Sequence, residues 1–506
     1  MLSIFDQGPP APCPEPFNLA AYVMGRAGEL TDKPALQVLH GSDPETWTYG
    51  ALESAIRGTG TGLLQTGLIP GDIVLMRLGN TVDFPIAYLG AIAAGLVPVP
   101  TSSQLTEPEV ARIVAELGPA AVLHAPGVAW VPHDNEITLA ELQAMRTLQP
   151  CAYDMGDPDR MAYVIYTSGT SGKPRAVAHA HRAIWARRMM FDGWYGLTEG
   201  DRLCHAGAFN WTYTLGTGLM DPWTAGATAL IPEPGTDLST LPALLAQHGA
   251  TIFAAAPGVY RKILKDHDRL DLPALRHGLC AGEKLSEHLH QAWQAASGTA
   301  LYEAYGMSEC STFISSCPAH PSHDATLGQP QKGRRIAILG GDGEPVEIGV
   351  EGTIAVHRRD PGLMLGYLHA ARDTAARMSG EWFLTGDQGT MGEDGQITYM
   401  GRDDDMMNAG GYRVSPLEVE AVLGAHPGIE LVAVTDVEVK EDTRIIAAFY
   451  TGPAPLEEAA LIDYVEDKLA RYKQPRAFIH VPALPAGANG KILRRALRDQ
   501  FEADRS

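Results

Sequence analysis

The sequence predicts an α/β protein: a large N-terminal domain of several sheets layered with helices, residues 1–403, and a small α+β C-terminal domain, residues 404–506. Three observations predict it. Short apolar, β-branched runs alternate with amphipathic stretches through the N-terminal half, the pattern of parallel strands joined by helices. A chain of 506 residues exceeds what one hydrophobic core usually serves, so two or more domains are expected. The charged, glycine-led segment Gly401-Arg-Asp-Asp-Asp405 reads as a linker, and the elements beyond it suffice for a compact domain.

Residues 1–20 are rich in proline and read as an irregular surface arm. Phe17 to Ala27 has helical apolar spacing, and Trp47 to Ser54 reads as a strand end followed by a helix that Thr48 caps. Asp72 to Arg77 and Ala120 to His124 read as strands, with helices over Thr81 to Ala94 and Glu107 to Leu117. The degraded glycine pattern Gly58-Thr-Gly-Thr-Gly-Leu63 follows a helical run rather than a strand, so it is not a dinucleotide fingerprint. Met161 to Ile165 is a buried strand; His179-Ala-His-Arg182 reads as a polar helix start, leading into a helix that carries Arg187 and Arg188. Thr251 to Pro257 is a small-residue strand with a helix from Val259, and His277 to Leu285 has strand-then-loop form. Arg335 to Leu339 and Gly352 to His357 suggest a small antiparallel region. Past the linker come a helix (Val414 to Leu423), two strands (Glu430 to Val437, Arg444 to Tyr450), a helix (Glu457 to Arg471) and a strand (Ala477 to Val481).

Composition excludes several function classes. Hydrophobic content of 45% and charged content of 20% are ordinary for a globular protein. A net charge of −21 offers no broad basic field, which argues against nucleic acid as a partner. Six scattered cysteines without a CxxC pair suit neither zinc nor a disulfide framework, so a reducing, cytoplasmic setting is expected. The N-terminus lacks a basic start and long apolar run. The most apolar stretch, Ala87 to Pro100, is too short and too broken by glycine and proline to span a membrane.

The chemistry concentrates in Tyr166-Thr-Ser-Gly-Thr-Ser-Gly-Lys-Pro-Arg175, directly after the strand at Met161. Glycines let backbone N–H groups approach a phosphate, hydroxyls donate to it, and Lys173 and Arg175 offset its charge. Composition alone would equally fit a Ser/Thr/Gly surface turn. It is not a Walker A loop: Thr167 stands where the first glycine belongs, and Pro174 where Ser or Thr belongs. Further motifs follow in order: His277-Gly-Leu-Cys-Ala-Gly-Glu-Lys-Leu285, Leu301-Tyr-Glu-Ala-Tyr-Gly-Met-Ser-Glu309, Trp382-Phe-Leu-Thr-Gly-Asp387, Gln396 to Arg402, and Leu484-Pro-Ala-Gly-Ala-Asn-Gly-Lys-Ile-Leu-Arg-Arg495.

Together these resemble the adenylate-forming (AMP-binding) enzymes, in particular the acyl-CoA synthetases for medium-chain and aromatic acids. The resemblance covers the chain from about residue 20 to 500. It implies an ATP-dependent carboxylic acid–CoA ligase that forms an acyl-adenylate and then a thioester, with ATP and coenzyme A as substrates and Mg²⁺ as cofactor. It assigns catalysis to Lys491, Thr167 and Glu309, the last also holding the metal. ATP would be bound by Thr167, Ser168, Gly169, Thr170, Ser171, Gly172 and Lys173, by Gly282, Glu283 and Lys284, by Glu303, Ala304, Tyr305, Gly306, Met307 and Ser308, and by Asp387 and Arg402. Tyr305 would stack on adenine, the Ser308 hydroxyl would bond the α-phosphate, and Asp387 would accept from the ribose hydroxyls. Phe209, Trp211 and Gly306 are candidate walls of the acyl pocket; acetyl-specific members carry tryptophan where this chain has Gly306. The C-terminal domain would be mobile, hinged at Asp404, and would present Gly410, Gly411 and Tyr412 as a pantetheine tunnel. The chain departs from the family at Ala486, Gly487 and Asn489, where a Lys-Thr pair and a Ser/Thr are usual.

Two other readings share these motifs: an adenylation enzyme that loads a separate carrier protein, with no carrier domain expected in cis, and a luciferase-type oxygenase. A catalytically weak ATP-binding regulator would not be expected to keep Lys491, Glu309 and Asp387 together. A monomer or homodimer is expected.

Overall fold

The alternation of apolar runs and amphipathic stretches folds into stacked sheets with helices between them. The computed structural model describes the chain apart from residues 41–42, 168–174, 324–325, 404, 410–411, 441–442, 487–491 and 504–506. Among the described residues the largest sheet has nine strands, in the order Gln329–Pro330, Ser311–Ser315, Ala300–Met307, His277–Ala281, Ile252–Ala255, Arg202–His205, Thr228–Pro232, Pro34–Leu39 and Glu45–Thr48. From Ala300–Met307 to Pro34–Leu39 the strands run parallel, while both edges turn antiparallel. Ile252–Ala255 and His277–Ala281 are buried along their whole length, as parallel strands covered on both faces must be.

A second parallel sheet joins Val97–Pro100, Ile73–Arg77, Ala121–His124 and Glu136–Thr138. Between it and the site lies the antiparallel hairpin Met161–Thr167 and Arg175–Ala180, extended by the short strand Gly366–Tyr367. A further antiparallel sheet contains Arg335–Leu339, Gly352–His357, Trp382–Met391 and Ile397–Arg402. The smaller C-terminal α+β domain pairs Leu431–Lys440 with Thr443–Thr451 and adds Ala477–His480 in parallel. Its core is built from Val419 and Leu423 of the helix Pro416–Gly424, Val434 and Ile446 of the sheet, and Leu461 and Val465 of the helix Glu458–Glu466.

Four local expectations are corrected. The N-terminal arm is not wholly irregular: Ile4–Asp6 pairs antiparallel with Arg335 to Ala337, and Ser3 is fully buried. The helix expected over Phe17 to Ala27 is only Leu19–Val23, started by Asn18, whose side chain accepts from the N–H groups of Ala20 and Ala21. His179 and His181 do not open a polar helix. His179 sits in the strand Arg175–Ala180, His181 accepts from the Leu19 N–H at 3.0 Å, and both are buried; Arg187 then follows the single turn Ala183–Ala186. The supposed linker begins later than expected, because Gly401 and Arg402 end the strand Ile397–Arg402.

The glycines of Gly58 to Gly62 lie on the helix Tyr49–Gln65 and serve packing. A Cβ on Gly58 would lie 2.7 Å from the Arg146 carbonyl oxygen, and one on Gly60 2.9 Å from that of Gly90. Alanine has the higher intrinsic helix propensity by roughly 1 kcal/mol, but overpacking against backbone costs about 1–3 kcal/mol. Gly58→Ala is therefore expected to lower stability, and denaturant unfolding showing a gain instead would mean that the helix can slide away from Arg146.

Candidate active site

The expected site residues converge on the hairpin formed by Ala300–Met307 and Ser311–Ser315. Its register shifts between Tyr305 and Gly306, bringing the two strands unusually close. A Cβ on Gly306 would lie 2.2 Å from the Ser311 carbonyl oxygen and 2.6 Å from Thr312 Cα. Glycine at this position is thus required by the hairpin itself, before any ligand is considered.

On one side of the hairpin, antiparallel pairing sets Asp387 directly opposite Arg402, and the Arg402 guanidinium lies 3.5 Å from Asp387 Oδ1. The Tyr305 hydroxyl donates to Asp387 Oδ2, and the Asp387 N–H donates to Thr385 Oγ1 at 3.1 Å. The Tyr305 ring meets Phe313 edge-on at 5.2 Å and lies tilted against Tyr399 at 5.6 Å. Burial, reinforced by the Asp387 charge, raises the Tyr305 phenol well above its usual range, so it stays a donor.

On the other side stands the hairpin that carries the glycine-rich segment. Thr167 and Arg175 face each other across its base, with Thr167 Oγ1 donating to the Arg175 carbonyl at 3.4 Å. Ser168, Gly169, Thr170, Ser171, Gly172 and Lys173 lie outside the described residues. Two bonds tie this hairpin to the central one. His179 Nε2 donates to the Ser308 carbonyl at 2.7 Å, and the Tyr367 hydroxyl donates to Glu309 Oε1 at 2.8 Å. Tyr367 pairs with Val177 in the same small sheet, so Glu309 is held by a strand that pairs with Arg175–Ala180, which follows the glycine-rich segment.

Glu303 points the opposite way from its neighbours and is 5% exposed. It accepts from Lys284 Nζ at 2.6 Å and from the Leu285 N–H at 2.8 Å, which fixes the segment Gly282, Glu283, Lys284 beside the hairpin. Ala304 is buried, Met307 is half-buried, and Glu283 pairs with Arg261 at 3.5 Å. Gly282, at φ +100°, passes under the Trp211 ring, where a Cβ would lie 2.7 Å from Cζ2. Phe209 is 1% exposed and packs on Phe84.

A sequence profile of AMP-binding enzymes matches residues 25–368, and that of the AMP-binding enzyme C-terminal domain matches residues 418–491. The chain belongs to the AMP-binding enzyme family. Benzoate–CoA ligase of Thauera aromatica is 30% identical, over 98% of this chain and 99% of that one. The crystal structure of an anthranilate CoA ligase in complex with anthranoyl-AMP superposes with a TM-score of 0.89 at 25% identity, over 97% and 98% of the two chains. A benzoate CoA ligase from Burkholderia xenovorans LB400 gives 0.84 at 27%, over 95% and 100%.

In this AMP-binding enzyme, Lys491, Asp404, Gly410 and Gly411 lie outside the described residues, and only the strand backbone is described at Tyr412. What surrounds them is defined. Ala486 bridges to Ile492, and the Leu493 N–H donates to the Pro485 carbonyl at 2.8 Å. Arg494 makes a two-pronged ion pair with Glu420 at 3.0 and 2.7 Å, and Glu420 also accepts from the Val434 N–H. Nothing local in the sequence signals the contacts of Glu420, His179 or Tyr367, since each is made to a distant segment.

Lys284→Met would leave Glu303 buried without its cation, at a cost of about 3–5 kcal/mol at pH 8. Burial already raises the Glu303 carboxyl, and losing Lys284 raises it further. A carboxyl raised on folding stabilises the fold below its unfolded pKa and loses that contribution as pH rises through the folded value. The deficit of Lys284→Met against the parent protein is therefore expected to shrink from pH 8 to pH 5 in urea titrations.

Proposed function

We propose that the protein is an ATP-dependent carboxylic acid–CoA ligase, which converts an aromatic or medium-chain acid to its acyl-adenylate and then to the CoA thioester. The carrying observation is that Glu309, Tyr305 with Asp387 and Arg402, and, through His179, the hairpin that ends at Thr167 all contact one hairpin. Support for the acid comes from the end-to-end likeness to a benzoate–CoA ligase and from the fold shared with ligases of two aryl acids.

In the first half-reaction a carboxylate oxygen attacks the α-phosphorus of ATP, and the bond to the bridging oxygen breaks to release pyrophosphate. Two anions must meet, so positive groups in a shielded site carry the catalysis. Lys491 bridges the carboxylate and α-phosphate, residues 168–173 hold the departing pyrophosphate, and the hydroxyls of Thr167 and Ser308 orient the phosphates. Asp387, flanked by Arg402, accepts from the ribose hydroxyls, and Tyr305 with the 282–284 segment borders the adenine.

Among the described residues no group of three or more His, Cys, Asp or Glu could cage a metal. Magnesium needs no such cage, since it binds through one or two carboxylates plus phosphate oxygens. Glu309 fits that demand: Tyr367 occupies Oε1, and Oε2 has no partner among the described residues. Mg²⁺ held there would offset charge on the β- and γ-phosphates.

In the second half-reaction the CoA thiol attacks the acyl carbonyl and AMP leaves. Residues 1–403 form the adenylating body and 404–506 the lid, which turns about Asp404 to withdraw Lys491 and present Gly410, Gly411 and Tyr412 to pantetheine. The six cysteines are unpaired, in keeping with a reducing cytoplasm.

ATP- and Mg²⁺-dependent thioester formation across benzoate, hexanoate, octanoate and acetate tests the reading, with acetate expected to be the poorest. Adenylate and pyrophosphate without thioester would overturn CoA as acceptor in favour of a carrier protein. Lys491→Ala is expected to slow adenylate formation by about 10²–10³-fold or more while thioester formation from supplied acyl-adenylate persists. Equal loss in both halves would remove Lys491 from the first step. Asp387→Asn, by weakening charge-assisted bonds to ribose, is expected to raise the KM for ATP by about tenfold or more.

A further inference from the structure

Among the described residues only Ser311 and His369 hold a positive φ without being glycine. Ser311, at +60°, opens the second strand of the central hairpin, opposite Met307 and two residues after Glu309. A left-handed backbone crowds Cβ against the following carbonyl oxygen, a strain that glycine avoids. The bulge accounts for the backbone, since the strands approach so closely that Gly306 has no room for a Cβ beside the Ser311 carbonyl. It does not account for the serine, because glycine would take the same turn without strain.

The hydroxyl does. Ser311 Oγ accepts from Arg187 Nη1, and the rest of the guanidinium is already gripped. Arg187 Nε donates to Asp221 Oδ1 at 2.9 Å, and Nη2 donates to Asp221 Oδ2 at 2.6 Å and to Thr217 Oγ1 at 3.1 Å. The Tyr195 hydroxyl donates to Asp221 Oδ2 at 2.6 Å, and all four of these side chains are buried. Thr217 and Asp221 belong to the helical segment Thr214–Met220 and the helix Asp221–Ala225 that continues it. Gly216 of that segment lets the guanidinium lie close, since a Cβ there would be 2.4 Å from Arg187 Cζ. Charge-assisted bonds on several sides leave Arg187 little freedom, so Ser311 is bonded to a fixed post.

The post stands where the hairpin matters most. Ser308, Ser311, Arg187, Leu215 and Met220 line one small cavity, so the bond joins the end of the hairpin that bears Ser308 and Glu309 to the helical wall across from it.

We propose that Ser311 is a positioning residue for adenylate formation: its hydroxyl, braced by Arg187, fixes Ser308 and Glu309 against the phosphates, and the strained backbone is what placing a hydroxyl there requires. The inference rests on the ligase reading above. Adenosine binding does not depend on this anchor, because Tyr305 lies before the register shift and is tied to Asp387. Losing the anchor therefore weakens the transition state more than it weakens nucleotide binding.

The test is acid-dependent exchange of pyrophosphate into ATP by the full-length protein, with the best acid of the panel above, for Ser311→Gly and Ser311→Ala. Both variants lack the hydroxyl, but glycine accepts the left-handed backbone and alanine does not. Ser311→Gly is therefore expected to melt at a higher temperature than Ser311→Ala. The two should nevertheless lose kcat alike, by about tenfold or more, with the KM for ATP within about threefold of the parent's. Ser311→Gly matching the parent in kcat would overturn the inference, as would losses that follow melting temperature or that fall on the KM for ATP alone. Ser311→Gly decides the matter even if Ser311→Ala does not fold. Exchange that Ser311→Gly leaves intact defeats this inference alone; no exchange by the parent protein with any acid defeats the ligase reading and this inference with it.

Discussion

The close approach of two backbones at Gly306 is the constraint on which the site depends. Because no side chain fits between residue 306 and Ser311, the strands can bulge there and turn within a few residues. That turn lets successive side chains and carbonyls of one short segment reach different parts of the molecule. Glu303 meets Lys284, Tyr305 meets Asp387, the Ser308 carbonyl meets His179, Glu309 meets Tyr367, and Ser311 meets Arg187. Five separate segments are thereby referenced to a single hairpin, and errors in any one position do not accumulate along the chain. This is the mounting a site needs when reacting groups come from residues far apart in sequence.

The same contacts sort the charges. Glu303 is matched by Lys284, Asp221 by Arg187 and Asp387 by Arg402, so each of these carboxylates has a neighbouring cation within the fold. Glu309 differs. Its described side-chain partner is a neutral phenol rather than a cation. On the reading proposed above, that is what suits it to an ion brought in with a polyphosphate, since a carboxylate locked to arginine would first have to break a strong bidentate pair.

Much of this was legible in the sequence, and the unread part shares one physical cause. Apolar runs located several parallel strands, among them Ile73–Arg77, Ala121–His124, Ile252–Ala255 and His277–Ala281, but not Pro34–Leu39, Val97–Pro100, Arg202–His205 or Thr228–Pro232. The site motifs were read from their likeness, in order along the chain, to those of a known family, since composition alone would equally fit surface turns. The errors arose where tertiary contacts override local pattern. His179 and His181 look polar, yet each is buried because a backbone group elsewhere consumes its hydrogen bond. Gly401 and Arg402 look like linker, yet pairing with Gln388 and Asp387 makes them strand. Gly306 was read for the room it leaves a ligand, and the structure adds a second reason for glycine there, since a Cβ would press on the Ser311 carbonyl. Phe209, expected as a pocket wall, also packs on Phe84, a contact that nothing local in the sequence specifies.

The departures at Ala486, Gly487 and Asn489 bear on how the segment next to Lys491 is anchored. A Lys-Thr pair can stabilise a loop through its own side-chain bonds, and here those bonds are missing. The flanking residues supply another anchor. Ala486 pairs with Ile492 across the base, the Leu493 N–H closes on the Pro485 carbonyl, and Arg494 locks to Glu420. Glu420 in turn accepts from the Val434 N–H, so the anchor reaches the strand Leu431–Lys440 of the small domain's sheet. The glycine-rich segment is closed the same way, by Thr167 against Arg175. Both cationic segments are thus held at the base by backbone pairing, and that pairing is indifferent to which side chains the loops themselves carry.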